Sequence, residues 1–395
     1  MGRVTLKLKV ALLKRTFVSA VLGLIPKKKK SVLLTAWFGQ KYIDNTKYVY
    51  EYLLEHSDYK VCWMTNNPQI YGQLKKEGKP VERFDSLRGR IKQITAQAVF
   101  STVQFSDYNQ KLLSKTIYID LGHGHPIKDP GKHFLSESIL AIQKQEVNNL
   151  RYYAVCASQF SKDHYQEVVR MNPDHIFISD FARNDVFIDE SLRKGKNIIV
   201  NEIKKEDKKA IVYMPTHRSD GRKRMDLCEI LPLEKIQEFC VTNNAVFVIK
   251  KHFYHRHEID DLSKYNRIFD ITSTDDIDPQ VLLYQADLLI SDYSACYIDY
   301  LLLDRPLMFY HYDLKDFQEQ ERSLYIPFES IDIAPISYSK NDFIEKLTHA
   351  WNHEDLYRGK RKAFAPNYFQ NTKQENGRAK VKLILDKLME EYYWK

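Results

Sequence analysis

The chain has 395 residues, enough for two domains of ordinary size. Hydrophobic residues make up 44% of it and charged residues 28%, and the sequence contains neither a low-complexity tract nor an internal repeat, which excludes disordered, fibrous and solenoid proteins. The formal net charge of +8 indicates an anionic partner without identifying it.

The first 30 residues are strongly basic, and no acidic residue precedes Asp44. The longest uncharged run, residues 16–26, is shorter than the ~20 residues that span a bilayer, and it ends in four lysines instead of a signal-peptidase site. We therefore expect residues 1–30 to form a basic amphipathic helix on an anionic membrane surface, as a peripheral protein of the cytoplasmic face. A disordered or core-docked arm is the alternative.

Short apolar runs then alternate with helical segments. This pattern predicts parallel sheets that are covered on both faces. It indicates an α/β protein of two doubly wound domains, residues 31–195 and 196–365, that face a central cleft, with a last helix in 366–395 that packs back on the first domain. Strands are predicted at 31–38, 59–65, 96–102, 115–120, 152–158, 175–179, 210–216, 244–250, 286–291 and 305–310.

The five cysteines are scattered, without a C-x-x-C pair or zinc-finger spacing. We expect reduced, buried thiols in a cytosolic protein. The cysteines are Cys62, Cys156, Cys228, Cys240 and Cys296.

The stretch LGHGHPIKD follows the predicted strand KTIYID. Its two glycines permit a sharp turn, and His123 and His125 point to alternate sides, so that one of them could face the cleft. An imidazole there is well suited to take a proton from a hydroxyl nucleophile. The alternative is a polar loop whose histidines bond to the backbone.

A second stretch, SDYSACYIDYLLL, predicts a helix beginning near Ala295 with Ser294 at its N-cap. Such a strand-to-helix turn can bind an anion, although a plain helix cap is the alternative. The G-x-G-x-x-G and G-K-[ST] patterns of other nucleotide sites are absent.

Cationic side chains also follow strands, and their joint placement predicts a phosphate-rich ligand such as a nucleotide diphosphate. The alternative interpretation, for any one of these side chains considered alone, is a solvated surface charge. They are Arg183, Arg218, Lys250, Lys251, His252 and Arg322.

In order and spacing these motifs resemble the CDP-glycerol glycerophosphotransferases of teichoic-acid and capsule synthesis, over about residues 31–385. The SDYS-to-YDL block is the most specific part, and Asn376, Gly377 and Arg378 are similar to the C-terminal block of that family. The motifs are FGQKYIDNTKYVYEYL, CWMTNN, HGHPIK, FARND, PTHR, IKKHF and SDYSACYIDYLLLDRPLMFYHYDLKDF.

The resemblance implies a GT-B arrangement of two Rossmann-like lobes and a CDP-alditol donor. It implies that His123 is the base and that His252 assists at the donor phosphates. Arg218, Ser294 and Arg322 match positions expected to contact the donor. We add as candidate substrate-binding residues Thr216, Asp292, Arg183, His125 and Lys128.

The implied reaction is in-line transfer of an alditol phosphate, glycerol phosphate first, to a hydroxyl of a lipid-linked saccharide or polyol-phosphate acceptor, with CMP as the leaving group. No cofactor is implied, and the lack of a carboxylate cluster predicts no essential metal. The length favours an enzyme that adds one or a few units, or a short polymerase.

Departures from the family pattern concern the alditol and the acceptor more than the reaction class. They are His125 for threonine, Lys315 for glutamate, Ser323 for glycine, and Asp180 and Ala182 for glycine and proline.

A GT-B glycosyltransferase that uses a nucleotide-diphosphate sugar is the alternative enzyme, and a glycosidic bond in its product would identify it. A nucleic-acid-binding module would need basic and aromatic residues interleaved in a known motif, which the sequence lacks, so we expect no nucleic-acid partner. A membrane scaffold would have no use for the residues after the strands. The oligomeric state stays open, a homo-oligomer included.

Overall fold

The computed structural model describes residues 20–127, 151–169, 171–193, 198–204, 207–218, 223–258, 260–274, 277–320, 324–371 and 373–394. The chain divides into two compact units. Unit 1 comprises Met1–His125, Lys132–Asp185 and Phe369–Lys395, and unit 2 comprises Pro126–Gly131 and Val186–Tyr368. The longer segment of unit 2 begins at Val186, whereas the sequence predicted a domain boundary at residue 196.

Unit 1 contains a 7-stranded sheet of order β3-β2-β1-β4-β5-β6-β7 in which every pair is parallel. The strands are β1 Ser31–Leu34, β2 Lys60–Thr65, β3 Val81–Arg83, β4 Ala98–Ser101, β5 Ile117–Asp120, β6 Arg151–Cys156 and β7 Ile176–Ile178. Its described helices are α1 Asp44–His56, α2 Pro68–Lys76, α3 Leu87–Thr95, α4 Gln159–Val169 and α13 Gly377–Met389.

Unit 2 contains a 6-stranded parallel sheet of order β10-β9-β8-β11-β12-β13. The strands are β8 Lys209–Met214, β9 Ala245–Ile249, β10 Ile268–Asp270, β11 Leu288–Ser291, β12 Leu307–Tyr310 and β13 Ile336–Ser337. The helices are α5 Ile198–Ile203, α6 Leu227–Ile230, α7 Leu233–Thr242, α8 Pro279–Gln285, α9 Cys296–Tyr300, α10 Leu314–Gln320, α11 Phe343–Asn352 and α12 Glu354–Phe364.

The two doubly wound parallel sheets confirm the predicted α/β fold class. Every predicted strand is present, because continuous apolar runs are what a strand covered on both faces requires. The short strands β3, β10 and β13 were not predicted, since two or three residues leave no periodic pattern.

Helix α13 lies in unit 1 although it follows unit 2 in the chain. The Asp185 carboxylate accepts hydrogen bonds from the backbone amides of Gly377 (2.6 Å) and Arg378 (2.9 Å) and from Arg378 Nε (2.9 Å). A Cβ at Gly377 would lie 2.6 Å from the Asp180 carbonyl oxygen, so the start of this helix requires glycine. The motifs FARND and NGR therefore pack against each other.

Most of the predicted N-terminal helix lies outside the described residues, which begin at residue 20. No helix in the described part of the chain is long and apolar enough to cross a membrane. The cysteines are free, and Cys62, Cys156 and Cys240 are buried as expected, but Cys228 is exposed. It lies in the short helix α6, which buries only Leu227.

Candidate active site

The candidate residues lie where parallel sheets bind ligands. The strand order of each sheet reverses at one place, between β1 and β4 in unit 1 and between β8 and β11 in unit 2. Loops that leave the carboxyl ends of strands beside such a reversal diverge and open a crevice. Thr216 and Arg218 follow β8, and Asp292 and Ser294 follow β11, while His123 follows β5, the next strand beyond β4.

His123 is exposed, and its hydrogen bond selects one tautomer. Nδ1 lies 2.8 Å from the backbone carbonyl oxygen of Thr102. A carbonyl only accepts, so Nδ1 must carry the proton, and Nε2 of the neutral ring then carries the lone pair. The ring also lies against Trp37, with centroids 4.9 Å apart. This is the arrangement that a general base requires.

The backbone of the His123 loop is held by buried polar side chains. Asn45 Nδ2 donates to the carbonyls of Leu121 (3.0 Å) and Gly122 (3.2 Å). Arg183 donates from NH1 to the His123 carbonyl (2.7 Å) and to the Asp44 carboxylate (3.0 Å), and its backbone amide donates to Asn45 Oδ1. Arg183, predicted to contact substrate, is thus buried and engaged in positioning His123.

His125 is 5% exposed, and its ring packs against Phe181 and Phe369, with centroid distances of 4.9 and 4.7 Å. His123 is exposed while His125 is buried, and Gly124 between them has a φ of 154°, which favours glycine. The burial of His125 argues against a direct contact with substrate, and the ring serves the packing of unit 1.

Asp120, the last residue of β5, is a buried carboxylate beneath the His123 loop. It accepts hydrogen bonds from the Gly122 amide (3.0 Å) and from the hydroxyls of Tyr152 (3.0 Å) and Tyr165 (3.2 Å). Burial raises the pKa of Asp120 above its usual value, although these three donors and nearby His123 oppose the rise. No local sequence pattern distinguishes this residue from the other residues of β5.

In unit 2 the Asp292 carboxylate joins the loops after β8 and β11. Oδ1 accepts from the amide and the hydroxyl of Thr216 (2.8 Å each) and from the Tyr293 amide (2.6 Å). Asp292 is fully buried, as Thr216 nearly is. Both residues were predicted to bind substrate, yet their polar groups are satisfied within the protein, so they fix the loop geometry.

Arg218 is 4% exposed and lies between two carboxylates. Its NH2 donates to Asp292 Oδ2 (2.9 Å), Nε and NH2 donate to Asp313 (2.7 and 3.0 Å), and NH1 donates to the Thr216 carbonyl (2.6 Å). Burial lowers the pKa of Arg218, but Asp292 and Asp313 outweigh it and raise the pKa above its ordinary value. The guanidinium fork is therefore occupied by aspartates instead of open to a phosphate.

Ser294 is half-buried, and its Oγ accepts from the Cys296 amide at 3.4 Å. The predicted helix is present but begins at Cys296, with Ala295 at the N-cap. It has 5 residues, followed by the 3₁₀ turn Leu301–Leu303. A helix this short has a small dipole, so the Ser294 hydroxyl and the loop amides, instead of the helix terminus, are what could meet an anion.

His252 lies beside two aromatic rings that were not predicted. His217 and Tyr254 each lie 4.7 Å from it between centroids, and 5.2 Å from each other. The Tyr254 amide donates to His252 Nδ1 at 3.4 Å, so the neutral ring carries its proton on Nε2. His252 is thus prepared to donate a hydrogen bond, the opposite polarity to His123.

Lys251, counted among the phosphate-binding cations, is fully buried. Its Nζ lies 2.9 Å from Asp260 and 3.4 Å from Asp270, and its amide donates to Thr272 Oγ1. These bonds tie the segment that carries His252 to the end of β10. Lys251 therefore orders the loop.

Lys128 and Arg322 lie outside the described residues. Within the described ranges, no group of three or more His, Cys, Asp and Glu residues could hold a metal ion.

The residues missed by the sequence analysis are mostly partners of those it named. His217 lies between Thr216 and Arg218 in PTHR, and Asp313 lies in the YDL block, so both were within quoted motifs. Asn45 and Asp44 lie in FGQKYIDNTKYVYEYL, but their contacts with residues near 121 and 183 join parts of the chain that no local pattern connects.

A family model described as CDP-Glycerol:Poly(glycerophosphate) glycerophosphotransferase matches residues 17–386. The chain is 25% identical, over 334 residues, to the teichoic acid glycerol-phosphate transferase of Staphylococcus aureus (strain NCTC 8325 / PS 47). That match covers 81% of this chain and 83% of the transferase.

It is also 24% identical, over 379 residues, to the teichoic acid poly(glycerol phosphate) polymerase of Bacillus subtilis (strain 168). That match covers 91% of this chain and 49% of the polymerase, so this chain spans about half its length.

Among solved structures, that of the wall teichoic acid polymerase TagF superimposes with a TM-score of 0.76 over 97% of this chain and 96% of that one. At 20% identity this likeness shows the fold.

Proposed function

Because the chain belongs to the CDP-glycerol:poly(glycerophosphate) glycerophosphotransferase family, we propose that it transfers an alditol phosphate from a CDP-alditol to an acceptor hydroxyl and releases CMP. Glycerol phosphate is the proposed group, in view of the names of the transferase and the polymerase that it resembles. The observation that supports the chemistry best is the exposed His123 ring, whose Nδ1 is committed to the Thr102 carbonyl.

The proposed base is His123. Its Nε2 takes the proton of the acceptor hydroxyl as the oxygen attacks the β-phosphorus of the donor. The Arg183 and Asn45 hydrogen bonds hold the loop, so that little reorganisation is needed when the proton moves. Asp120 lies below the loop, and its hydrogen bonds with the Gly122 amide and with the hydroxyls of Tyr152 and Tyr165 help to hold the loop in place.

The proposed donor-binding residues are in unit 2. His252 donates from Nε2 to a phosphate oxygen, and the Ser294 hydroxyl and neighbouring amides meet the charge that develops on the leaving CMP. We assign an indirect role to Arg218, Thr216 and Asp292, because their hydrogen bonds hold the loops after β8 and β11, and the second of these loops carries Ser294. Arg322 and Lys128 remain candidates for direct contact.

The proposed acceptor is a lipid-linked saccharide or a polyol phosphate at an anionic membrane surface of the cytoplasmic face. Val21, Leu24 and Ile25 are exposed next to the lysine run, which supports contact with lipid. Only part of that run is available, because Lys27 is tied to the Ile94 carbonyl and Thr116, and Lys30 to Asp58.

The test is to incubate the purified protein with CDP-glycerol or CDP-ribitol and to measure CMP release with and without a lipid-linked disaccharide. We expect acceptor-dependent CMP release and a phosphodiester in the product. His123→Ala should lower turnover by at least a hundredfold while CDP-glycerol still binds, as measured by calorimetry. Near-normal turnover of that variant contradicts the assignment of the base, and a glycosidic bond in the product would identify a glycosyltransferase instead.

A further inference from the structure

The loop after β1 adopts an unfavourable backbone conformation. Trp37, Phe38 and Gly39 have consecutive φ values of 49°, 58° and 74°. Glycine accepts this left-handed region freely, and a Cβ at Gly39 would lie 2.9 Å from the Phe84 ring. For the two bulky residues the conformation is strained, at a cost of roughly 1–2 kcal/mol each.

Buried hydrogen bonds hold the strained loop in place. Asp107 Oδ1 accepts from the Phe38 amide (2.6 Å), and Oδ2 accepts from the amides of Thr102 (2.7 Å) and Val103 (2.9 Å). The Trp37 amide donates to Thr102 Oγ1 at 3.1 Å. These bonds join the loops after β1 and β4, the two strands at which the order of the sheet reverses. A ligand crevice is expected at this place.

The strain does not serve the packing of the protein. Phe38 remains 49% exposed, so a large ring stays in water at a position where glycine would fit without strain. Trp37 is half-buried and lies against His123, with its Nε1 donating to Asp44 at 3.3 Å. The Thr102 residue that binds the Trp37 amide through its side chain also accepts the His123 Nδ1 proton through its carbonyl. Strain that folding does not require is typical of functional sites.

We propose that Trp37 and Phe38 form the surface on which the carbohydrate or polyol residue of the acceptor rests while its hydroxyl is deprotonated at His123. The C–H groups of such a residue pack on aromatic rings, and its hydroxyls stay free for hydrogen bonds. This inference rests on the proposed function, since it assigns specificity for the acceptor of that reaction.

The test is Phe38→Gly, which removes the ring and relieves the strain together. The KM for the acceptor should rise at least fivefold, with the KM for CDP-glycerol unchanged, and the melting temperature should stay the same or rise. A structural role for the ring predicts the reverse, a lower melting temperature with an unchanged acceptor KM, and that outcome overturns the proposal. Trp37→Leu should likewise raise the acceptor KM.

The matched control is Lys115→Gly, which relieves a φ of 57° at an exposed position of the same unit, and which should leave the acceptor KM unchanged. Two acceptors are compared, a lipid-linked disaccharide and poly(glycerol phosphate). A raised KM for either supports the proposal and identifies the residue that rests on the rings, and an unchanged KM for both overturns it. Absence of CMP release by the wild-type protein with every CDP-alditol would instead contradict the proposed function.

Discussion

At the scale of single residues, the structure separates side chains that could touch substrate from side chains that hold them. His123 is exposed and His252 half-buried, and their hydrogen bonds leave opposite tautomers. Arg218 is a cation of the kind that binds phosphate, but two aspartates already occupy its fork. Burying the guanidinium without these carboxylates would cost too much desolvation free energy, and burying the carboxylates without the guanidinium would cost too much as well.

Replacement of Arg218 by methionine should therefore destabilise the protein strongly. Asp292 and Asp313 would lose their counter-charge while buried, and the free energy of unfolding should fall by about 3–5 kcal/mol. Chemical denaturation followed by fluorescence measures this. Arg83→Met, which breaks the exposed pair with Asp85, is the control and should change stability by less than about 1 kcal/mol. Equal losses in the two variants would show that Arg218 is not a buried electrostatic anchor.

At the scale of elements, the motifs that resemble the family are places where loops meet. FARND and NGR meet at Asp185, and PTHR meets SDYS at Asp292. Each junction is a buried aspartate that accepts backbone amides from a distant segment, which fixes loop positions more firmly than apolar packing does.

Gly377→Ala tests the first of these junctions. The new Cβ would lie 2.6 Å from the Asp180 carbonyl oxygen and 2.9 Å from the Phe181 carbonyl carbon, both of them backbone atoms that cannot swing aside. We expect a loss of roughly 1–3 kcal/mol in unfolding free energy, together with reduced turnover, because FARND also holds the His123 loop. Thermal unfolding and CMP release are the measurements.

The control for that variant is Gly72→Ala in helix α2, where nothing lies within 4 Å of the added carbon. This change should stabilise the helix by about 0.5–1 kcal/mol and leave turnover unchanged. A stabilised Gly377→Ala variant would show that the close approach is absent in solution.

At the scale of the whole molecule, the net charge of +8 indicates that the protein binds an anionic partner. The described residues show that Lys27 is not part of a free basic surface, because it donates to Ile94 and Thr116, and burial and nearby Arg151 lower its pKa to about 8. Lys28 and Lys29 are exposed beside the apolar residues of the same segment.

We therefore expect the double variant Lys28→Gln, Lys29→Gln to bind anionic vesicles more weakly. At about 1 kcal/mol for each lysine, the loss is about 2 kcal/mol, or roughly thirtyfold in affinity. Co-sedimentation with phosphatidylglycerol vesicles at low salt is the measurement. The matched control is Lys75→Gln, Lys76→Gln, at the exposed end of α2, which removes the same charge and should bind normally. Equal losses would indicate a diffuse effect of net charge.

The fold class, the family and every strand except the short β3, β10 and β13 were predictable from the sequence, and they are confirmed. Buried parallel strands need uninterrupted apolar runs, and the ends of strands need polar turns. Both the strands and their ends can therefore be recognised from short stretches of the sequence. The sequence also placed chemically active residues after the strands, because that rule depends on chain order alone. The site residues themselves stay a prediction.

Only the tertiary structure decided which of those residues are available. Arg218 and Thr216 form hydrogen bonds with Asp292, and Lys251 pairs with Asp260. His125 is buried against Phe369, whereas His123 is exposed. Most of these contacts join segments that are far apart in the chain, so no local pattern could predict them. The strain at Trp37 and Phe38 likewise arises from Asp107, about seventy residues later. The sequence determines which hydrogen bonds and ion pairs each side chain can form. The tertiary structure determines whether those groups already bind other parts of the protein or stay available for a ligand.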